Sequence, residues 1–87
     1  MAESDYLRAF VLRGRNRKLI LEKLNEGEKT QAQLFHETKL YRSHIKRTLL
    51  ELEKKSLVKC LNPKDRIYKI YVLTLKGRDL IKKLKKN

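Results

Sequence analysis

Residues 42–55 carry the clearest periodicity in the chain, and this segment sets the strongest limit on the fold. Ile45, Leu49 and Leu52 recur at positions i, i+4 and i+7, so at about 100° per residue they lie within about 60° of one another on a helix. The pattern predicts an amphipathic helix that packs one apolar stripe on a core. The side chains expected on the opposite side are Ser43, Arg47, Leu50 and Lys54, flanked by His44 and Lys46. The basic residues of that side lie mainly at the start of the helix.

Four further helices are predicted from shorter apolar stripes. Their expected bounds are Ser4 or Asp5 to Arg13, 15–25, Thr30 to Glu37, and 75–85. Thr30 is a suitable N-cap because its hydroxyl can accept a free backbone N–H. The segment 38–40 is expected to form a tight turn. Gly77 lies on the inner face of the last helix, where a missing side chain permits close packing.

A β-hairpin is predicted between the fourth and fifth helices. The expected strands are Leu57–Leu61 and Ile67–Leu73, joined by a turn over 62–66. β-Branched and aromatic residues favour the strands, and Pro63 and Asp65 favour the turn. Of Tyr68 and Tyr71, we expect one to face inward and one outward. The predicted fold class is therefore mainly α with a small antiparallel β-hairpin.

The charge of the chain indicates which partners it attracts. The 87 residues include 23 lysines and arginines against 10 acids, a formal net charge of +13. Residues 57–87 alone hold ten basic and two acidic residues. Such a balance favours nucleic acid, an acidic membrane or an acidic protein as partner. A domain this small has little room for an internal active site.

Metal and catalytic chemistry find little support in the sequence. Cys60 is the single cysteine, and His36 and His44 lie eight residues apart, so no metal-ligand spacing is present. Neither a glycine-rich phosphate loop nor a context for paired carboxylates occurs. We therefore expect no metal, no cofactor and no enzymatic activity, and we expect Cys60 to be a small, partly buried apolar residue.

The apolar runs are too short for a membrane span. Runs such as Ala9–Leu12 and Leu19–Leu21 are far below the roughly 20 residues that cross a bilayer. The acidic opening segment Met1–Asp5 is unlike the basic start of a secretory leader. These features predict a cytoplasmic protein, associated with the nucleoid if it binds DNA.

Four segments carry a family resemblance over about residues 15–85. They are Lys29–Leu34, Leu40–Leu49, Leu52–Val58 and Tyr71–Arg78. In this order they resemble the first motif helix, the recognition helix, the helix-to-wing junction and the Y-x-L-T-x-x-G wing exit of winged helix-turn-helix transcription regulators. The resemblance is to the archaeal and bacterial MarR and ArsR types. It implies a winged helix-turn-helix that binds DNA.

The resemblance implies a set of DNA contacts on the recognition helix. They are Tyr41, Arg42, Ser43, His44, Lys46 and Arg47. Arg42 and Arg47 are the best candidates for reading guanine by paired hydrogen bonds, which discriminate by about 1–3 kcal/mol. Ser43 and His44 suit either bases or phosphates, and Lys46 suits a phosphate.

Three more contacts lie outside that helix. The hairpin tip resembles the wing, so Lys64 and Arg66 are expected to touch the minor groove or the backbone. Lys29, at the start of the motif, is a candidate phosphate contact. For every one of these residues the alternative is an ordinary solvated base.

Four positions depart from the family pattern. Lys39 stands where the inter-helix turn usually has glycine, which predicts a different turn or a non-glycine residue at positive φ. Tyr41 occupies the usual Ser or Thr cap position. Phe35 replaces a small residue at the helix crossing, and Ser56 replaces a glycine after the recognition helix.

We expect residues 1–14 to form an N-terminal helix or arm and residues 15–87 the winged helix-turn-helix domain. The function predicted is sequence-specific recognition of double-stranded DNA by a homodimer formed through the first and last helices. Phe10 and Val11 suit either that interface or the core. Two alternatives stay open: a winged-helix module that binds a protein of the transcription machinery, and a non-specific chromatin-like or RNA-binding protein.

Overall fold

The computed structural model of the chain describes residues 3–85, and within them it shows five helices and a three-stranded antiparallel sheet. The elements are α1 (Glu3–Arg13), α2 (Arg15–Leu24), β1 (Lys29–Thr30), α3 (Gln31–Thr38), α4 (Arg42–Lys54), β2 (Val58–Cys60), β3 (Ile70–Leu73) and α5 (Leu75–Lys85). The predicted fold class is confirmed. Part of the acidic opening segment (residues 1 and 2) and the last two residues lie outside the described part.

One hydrophobic core joins the five helices to the sheet. The stripe of α4 is buried as its spacing predicts, with Ile45, Leu49 and Leu52 no more than 1% exposed. In α1, Leu7 and Val11 are also buried in this core. Because each buried aliphatic side chain contributes roughly 1.5–3 kcal/mol, α1 and α4 are both held firmly on it.

The sheet contains one strand that the sequence did not predict. Lys29 pairs with Tyr71 and Thr30 with Ile70, so the order is β1-β3-β2. On the other side β3 pairs with β2, where Cys60 also lies opposite Tyr71. Two residues are too few to show a period-2 pattern, which is why β1 escaped prediction.

The second hairpin strand is shorter than predicted. It was expected to begin at Ile67, whereas β3 begins at Ile70. The carboxylate of Asp65 accepts the backbone N–H groups of Ile67 and Tyr68, both at 2.8 Å. These amides are thereby held in the turn and do not enter the strand ladder, although their side chains have high strand propensity.

The predicted helix start at Thr30 and the unusual turn residues are present. The Thr30 hydroxyl accepts the Gln33 N–H, and the Gln33 side chain accepts the Thr30 N–H, forming a capping box. Lys39, which stands where glycine is usual, has the left-handed conformation with φ 63°, one of the two outcomes expected for it. Ser56 has φ 60°. Tyr41 gives α4 no side-chain cap. The turns at both ends of α4 are therefore formed by non-glycine residues at positive φ.

Gly77 permits a close approach between α5 and the start of the hairpin. A Cβ atom at this position would overlap the carbonyl oxygen of Leu57. The prediction of close packing at Gly77 is confirmed, and the contact fixes α5 against the segment that leaves α4.

Candidate nucleic-acid interface

The outer face of α4 is exposed and basic in its first half. Of the six predicted recognition residues, Tyr41, Arg42, Ser43, Lys46 and Arg47 are exposed and His44 is half-buried. The Tyr41 side chain is 74% exposed and meets the His44 ring edge-on at 5.5 Å between centroids. Since the inner face of α4 is anchored in the core, these side chains start from fixed backbone positions.

Arg42 and Arg47 leave α4 on different sides. They are five positions apart, which corresponds to about 140° around the helix. Arg42 lies towards α3, with its guanidinium carbon 4.7 Å from the centre of the Phe35 ring. Arg47 lies on the side towards α2, where it lines a groove with Arg17 and Glu51. The two arginines that were both expected to read guanine therefore project from two different sides of α4.

Phe35, a departure from the family pattern, lies half-buried between the core and α4. It packs against the core cluster on one side and lies under Arg42 on the other. A guanidinium stacked on an aromatic ring keeps its N–H donors available at the edge of its plane. Phe35 thus orients Arg42 without occupying its hydrogen-bonding groups.

Side-chain hydrogen bonds shape the hairpin tip. Asn62 donates to the Tyr68 carbonyl at 2.7 Å and accepts the Ile70 N–H at 2.7 Å. The two backbone N–H groups bound to Asp65, those of Tyr68 and Ile67, hold the pKa of its carboxyl below the ordinary value. The tip is therefore an ordered loop rather than a plain two-residue turn.

The tip exposes two bases and two large apolar side chains. Lys64 and Arg66 are exposed, as expected of a wing. Ile67 is 79% exposed and Tyr68 is 68% exposed, whereas Tyr71 is buried. The prediction of one inward and one outward tyrosine is confirmed. The exposure of Ile67 was missed because the residue was taken for part of a strand.

Lys29 is engaged by acids in this structure. Its ammonium nitrogen lies 3.1 Å from a Glu37 carboxylate oxygen and 3.6 Å from one of Glu26, and its side chain is only 12% exposed. The hydrogen bond to Glu37 raises its pKa. The phosphate contact expected of Lys29 stays a prediction, and this pairing leaves it outside the interface proposed below.

The sequence analysis missed a group of arginines beside α4. Arg13, Arg15 and Arg17 line the same groove as Arg47. Their signal in the sequence is the basic run around Gly14, where the first predicted helix ends and the second begins. Its proximity to α4 depends on the packing of α2, which local patterns do not reveal.

Residues 3–85 show neither a metal-ligand cluster nor a membrane-spanning helix. This part of the chain holds no group of three or more histidine, cysteine, aspartate or glutamate residues arranged to bind a metal ion. None of its helices is both long and apolar enough to cross a membrane.

Several solved structures share this fold. A double mutant of ZitR from Lactococcus lactis superposes with a TM-score of 0.74 at 22% identity, over 82% of this chain and 49% of that one. The transcriptional regulator HlyU from Vibrio vulnificus gives 0.71 at 25% identity, over 94% and 88%. Reduced HlyU from Vibrio cholerae gives 0.73 at 24% identity, over 94% and 90%. The chain thus spans about half of that ZitR structure and most of either HlyU.

These likenesses confirm the predicted winged helix-turn-helix fold and the resemblance to regulators of this fold. At identities below 25%, the likeness to ZitR and to reduced HlyU concerns the fold alone. All three proteins come from bacteria, so they give no support to the archaeal part of the predicted resemblance. No family model and no curated protein sequence matches the chain.

Proposed function

We propose that the protein is a transcriptional regulator that binds double-stranded DNA sequence-specifically in the cytoplasm, with α4 in the major groove. The observation that carries the proposal is the exposed cationic face of α4, whose opposite face is anchored in the core. The major groove, about 12 Å wide, admits one helix with its side chains. The likeness to HlyU, itself a transcriptional regulator, supports the same function.

Each of the six predicted recognition residues has a role in this proposal. Arg42 and Arg47 read guanine, one from each side of the helix, through bidentate hydrogen bonds. Ser43 and His44 contact bases or phosphates, and Lys46 holds a phosphate. Tyr41, at the helix start, packs against the sugar-phosphate backbone beside His44.

The hairpin tip acts as the wing. Lys64 and Arg66 contact the minor groove or the backbone next to the major-groove site. The ordered loop supports this role, because Asn62 and Asp65 reduce the conformational freedom that binding would otherwise remove.

The regulator acts as a homodimer through α1 and α5. Leu12 is 51% exposed and Leu75 is 79% exposed, and such side chains suit burial against a second copy. A two-fold dimer places two copies of α4 in successive major grooves, so the operator has half-sites about 34 Å apart.

The test starts from duplexes selected from a random pool. Arg42→Ala and Arg47→Ala are each expected to weaken binding to the selected duplex by about 5- to 150-fold, which corresponds to about 1–3 kcal/mol. Binding to an unrelated duplex should change far less. Lys18→Ala, on the exposed side of α2, is the matched control because it removes one positive charge away from α4.

Each outcome separates the proposal from the alternatives. Retention of full sequence preference by both arginine variants would contradict the assigned roles. Equal affinity for selected duplex, random duplex and single-stranded RNA would favour a non-specific nucleic-acid-binding protein. Absence of duplex binding at low salt would favour a protein-interaction module.

A further inference from the structure

A second basic surface lies beside α4, where α1 ends and α2 begins. A groove of about 370 Å³ is formed there by residues of all three helices. The lining side chains that matter are Arg13, Arg15, Arg17, His44, Arg47 and Glu51. Four arginines and a single acid give this surface a strong positive charge.

Arg17 and Glu51 form one wall of the groove. Nε and Nη2 of Arg17 donate to the two carboxylate oxygens of Glu51 at 3.2 and 3.1 Å, and its Nη1 donates to the Phe10 carbonyl at 2.7 Å. Its guanidinium also lies 3.9 Å from the centre of the Phe10 ring. This residue therefore ties α1, α2 and α4 together, and the only acid among the lining side chains is already paired.

Three arginines remain to face a ligand. Arg13 ends α1, Arg15 begins α2 and Arg47 lies on α4. All three are exposed, and within residues 3–85 no ion pair involves them. Guanidinium groups match the oxygens of a phosphate and bind it by paired hydrogen bonds. The first turn of α2, which no side chain caps, adds backbone N–H groups to the same groove.

We propose that this groove binds a backbone phosphate of the DNA whose bases α4 contacts. The inference rests on the function proposed above and extends it to Arg13 and Arg15. Arg47 and His44 belong both to the groove and to the DNA-facing residues of α4, so the two surfaces are continuous. A helix in the DNA major groove lies between two rows of phosphates. The arginine-lined groove of the protein faces one of these rows. The contact carries no sequence information and fixes the depth and register of α4.

The double variant Arg13→Gln with Arg15→Gln tests the groove. With a slope of about 0.9 per phosphate neutralised, loss of this one phosphate contact reduces the dependence of log affinity on log salt by about 0.9. If the two proteins bind alike near about 1 M salt, this corresponds to roughly 5-fold weaker binding at about 0.15 M salt. Sequence preference should stay unchanged. Lys18→Gln with Lys59→Gln removes the same charge from two exposed sites outside the groove and should weaken binding by less than about 3-fold.

Neutral methylphosphonate linkages locate the contact on the DNA. Replacing phosphates one at a time should reveal a position at which neutralisation weakens binding of the wild-type protein but not of the arginine double variant. Thermal unfolding verifies that the variants are folded, and Arg17 and Glu51 are left intact for that reason.

The results separate this inference from the function on which it rests. If the double variant loses no more affinity than the lysine control, or if no phosphate position is specific to it, the groove is not a phosphate site. If the wild-type protein binds duplex without sequence preference and the double variant still loses affinity, the phosphate site is supported and the proposal of sequence-specific recognition is contradicted. If the wild-type protein binds no duplex, both fail.

Discussion

Along the edge of α4 that faces α3, the guanidinium of Arg42 lies 4.7 Å from the centre of the Phe35 ring. Along the edge that faces α2, the guanidinium of Arg17 donates two hydrogen bonds to Glu51. Both arginines are held by a side chain of another helix. The first lies over a neutral ring. The second also lies over a ring, that of Phe10, but its N–H groups are bound by a carboxylate.

The difference determines what each arginine can still do. Stacking leaves the N–H donors of Arg42 at the edge of the plane, where a base or phosphate can accept them. The bidentate pair uses the donors of Arg17 and cancels its charge. One arginine is thus preorganised for a ligand and the other joins helices. Sequence charge alone does not distinguish them.

The largest expected effect is on stability, at the α2 edge. Arg17→Ala removes the pair with Glu51, the hydrogen bond to the Phe10 carbonyl and the contact with the Phe10 ring, and should lower the free energy of unfolding by about 2–3 kcal/mol. Arg42→Ala, at the α3 edge, removes the contact with the Phe35 ring and should lower it by no more than about 0.5–1 kcal/mol. Urea unfolding of both variants measures the contrast.

Arg17→Lys serves as the control for this contrast. It keeps the charge but not the two-pronged geometry, so its stability should lie between those of the wild-type protein and Arg17→Ala. Equal losses for Arg17→Ala and Arg42→Ala would show that the two edges do not differ.

A smaller effect is expected from the ring beneath Arg42. Phe35→Leu keeps an apolar residue against the core but removes the aromatic face, so Arg42 loses its preferred orientation. Affinity for the selected duplex should fall by about 2- to 5-fold, in line with the roughly 0.5–1 kcal/mol of an exposed cation–π contact. The measurement is a binding titration of the folded variant.

A double-mutant cycle supplies the control. In the Arg42→Ala background, Phe35→Leu should cause no further loss of affinity. If the two losses add in full, Phe35 acts through packing of α3 and not through Arg42.

The sequence predicted those elements whose pattern is local and repeated. The stripe of Ile45, Leu49 and Leu52 repeats over two turns, so it identified α4 and its buried face. β1 is only two residues long and exists because Thr30 and its neighbour pair with β3, about 40 residues away. β3 begins at Ile70 and not at Ile67 because the carboxylate of Asp65 binds two backbone amides in the turn, which overrides strand propensity.

The candidate site was predictable where exposure follows from periodicity. The apolar stripe of α4 predicted its inner side, and the outward side follows from that. The partners of Arg17 could not be predicted in this way, because Phe10 is 7 residues away and Glu51 is 34 residues away. The engagement of Lys29 by Glu37 depends in the same way on how β1 meets α3. Pairing between elements decides which cations remain available, and no local pattern records it.

The smallest expected effect distinguishes the two edges by pH. The hydrogen bond from Arg17, followed by the charges of Arg17, Arg47 and Lys54, lowers the pKa of Glu51 in the folded protein. Its ionised form therefore stabilises the fold above the ordinary glutamate pKa of about 4.3, and this contribution is lost as the pH falls through the lowered value. The wild-type protein should exceed Glu51→Gln in stability by less than about 1 kcal/mol at pH 7, because the side chain is 36% exposed. The difference should approach zero once the pH falls below the lowered value.

The α3 edge should show no such dependence. Phenylalanine does not titrate and arginine stays charged throughout this range, so the ionisation of Glu51 should leave the stability difference between the wild-type protein and Phe35→Leu unchanged. Urea unfolding of the three proteins across the range compares the two edges directly. A parallel fall of both differences would mean that acid loosens the packing of α4 as a whole. In that case the ionic contact at one edge and the stacking contact at the other would not be separate interactions.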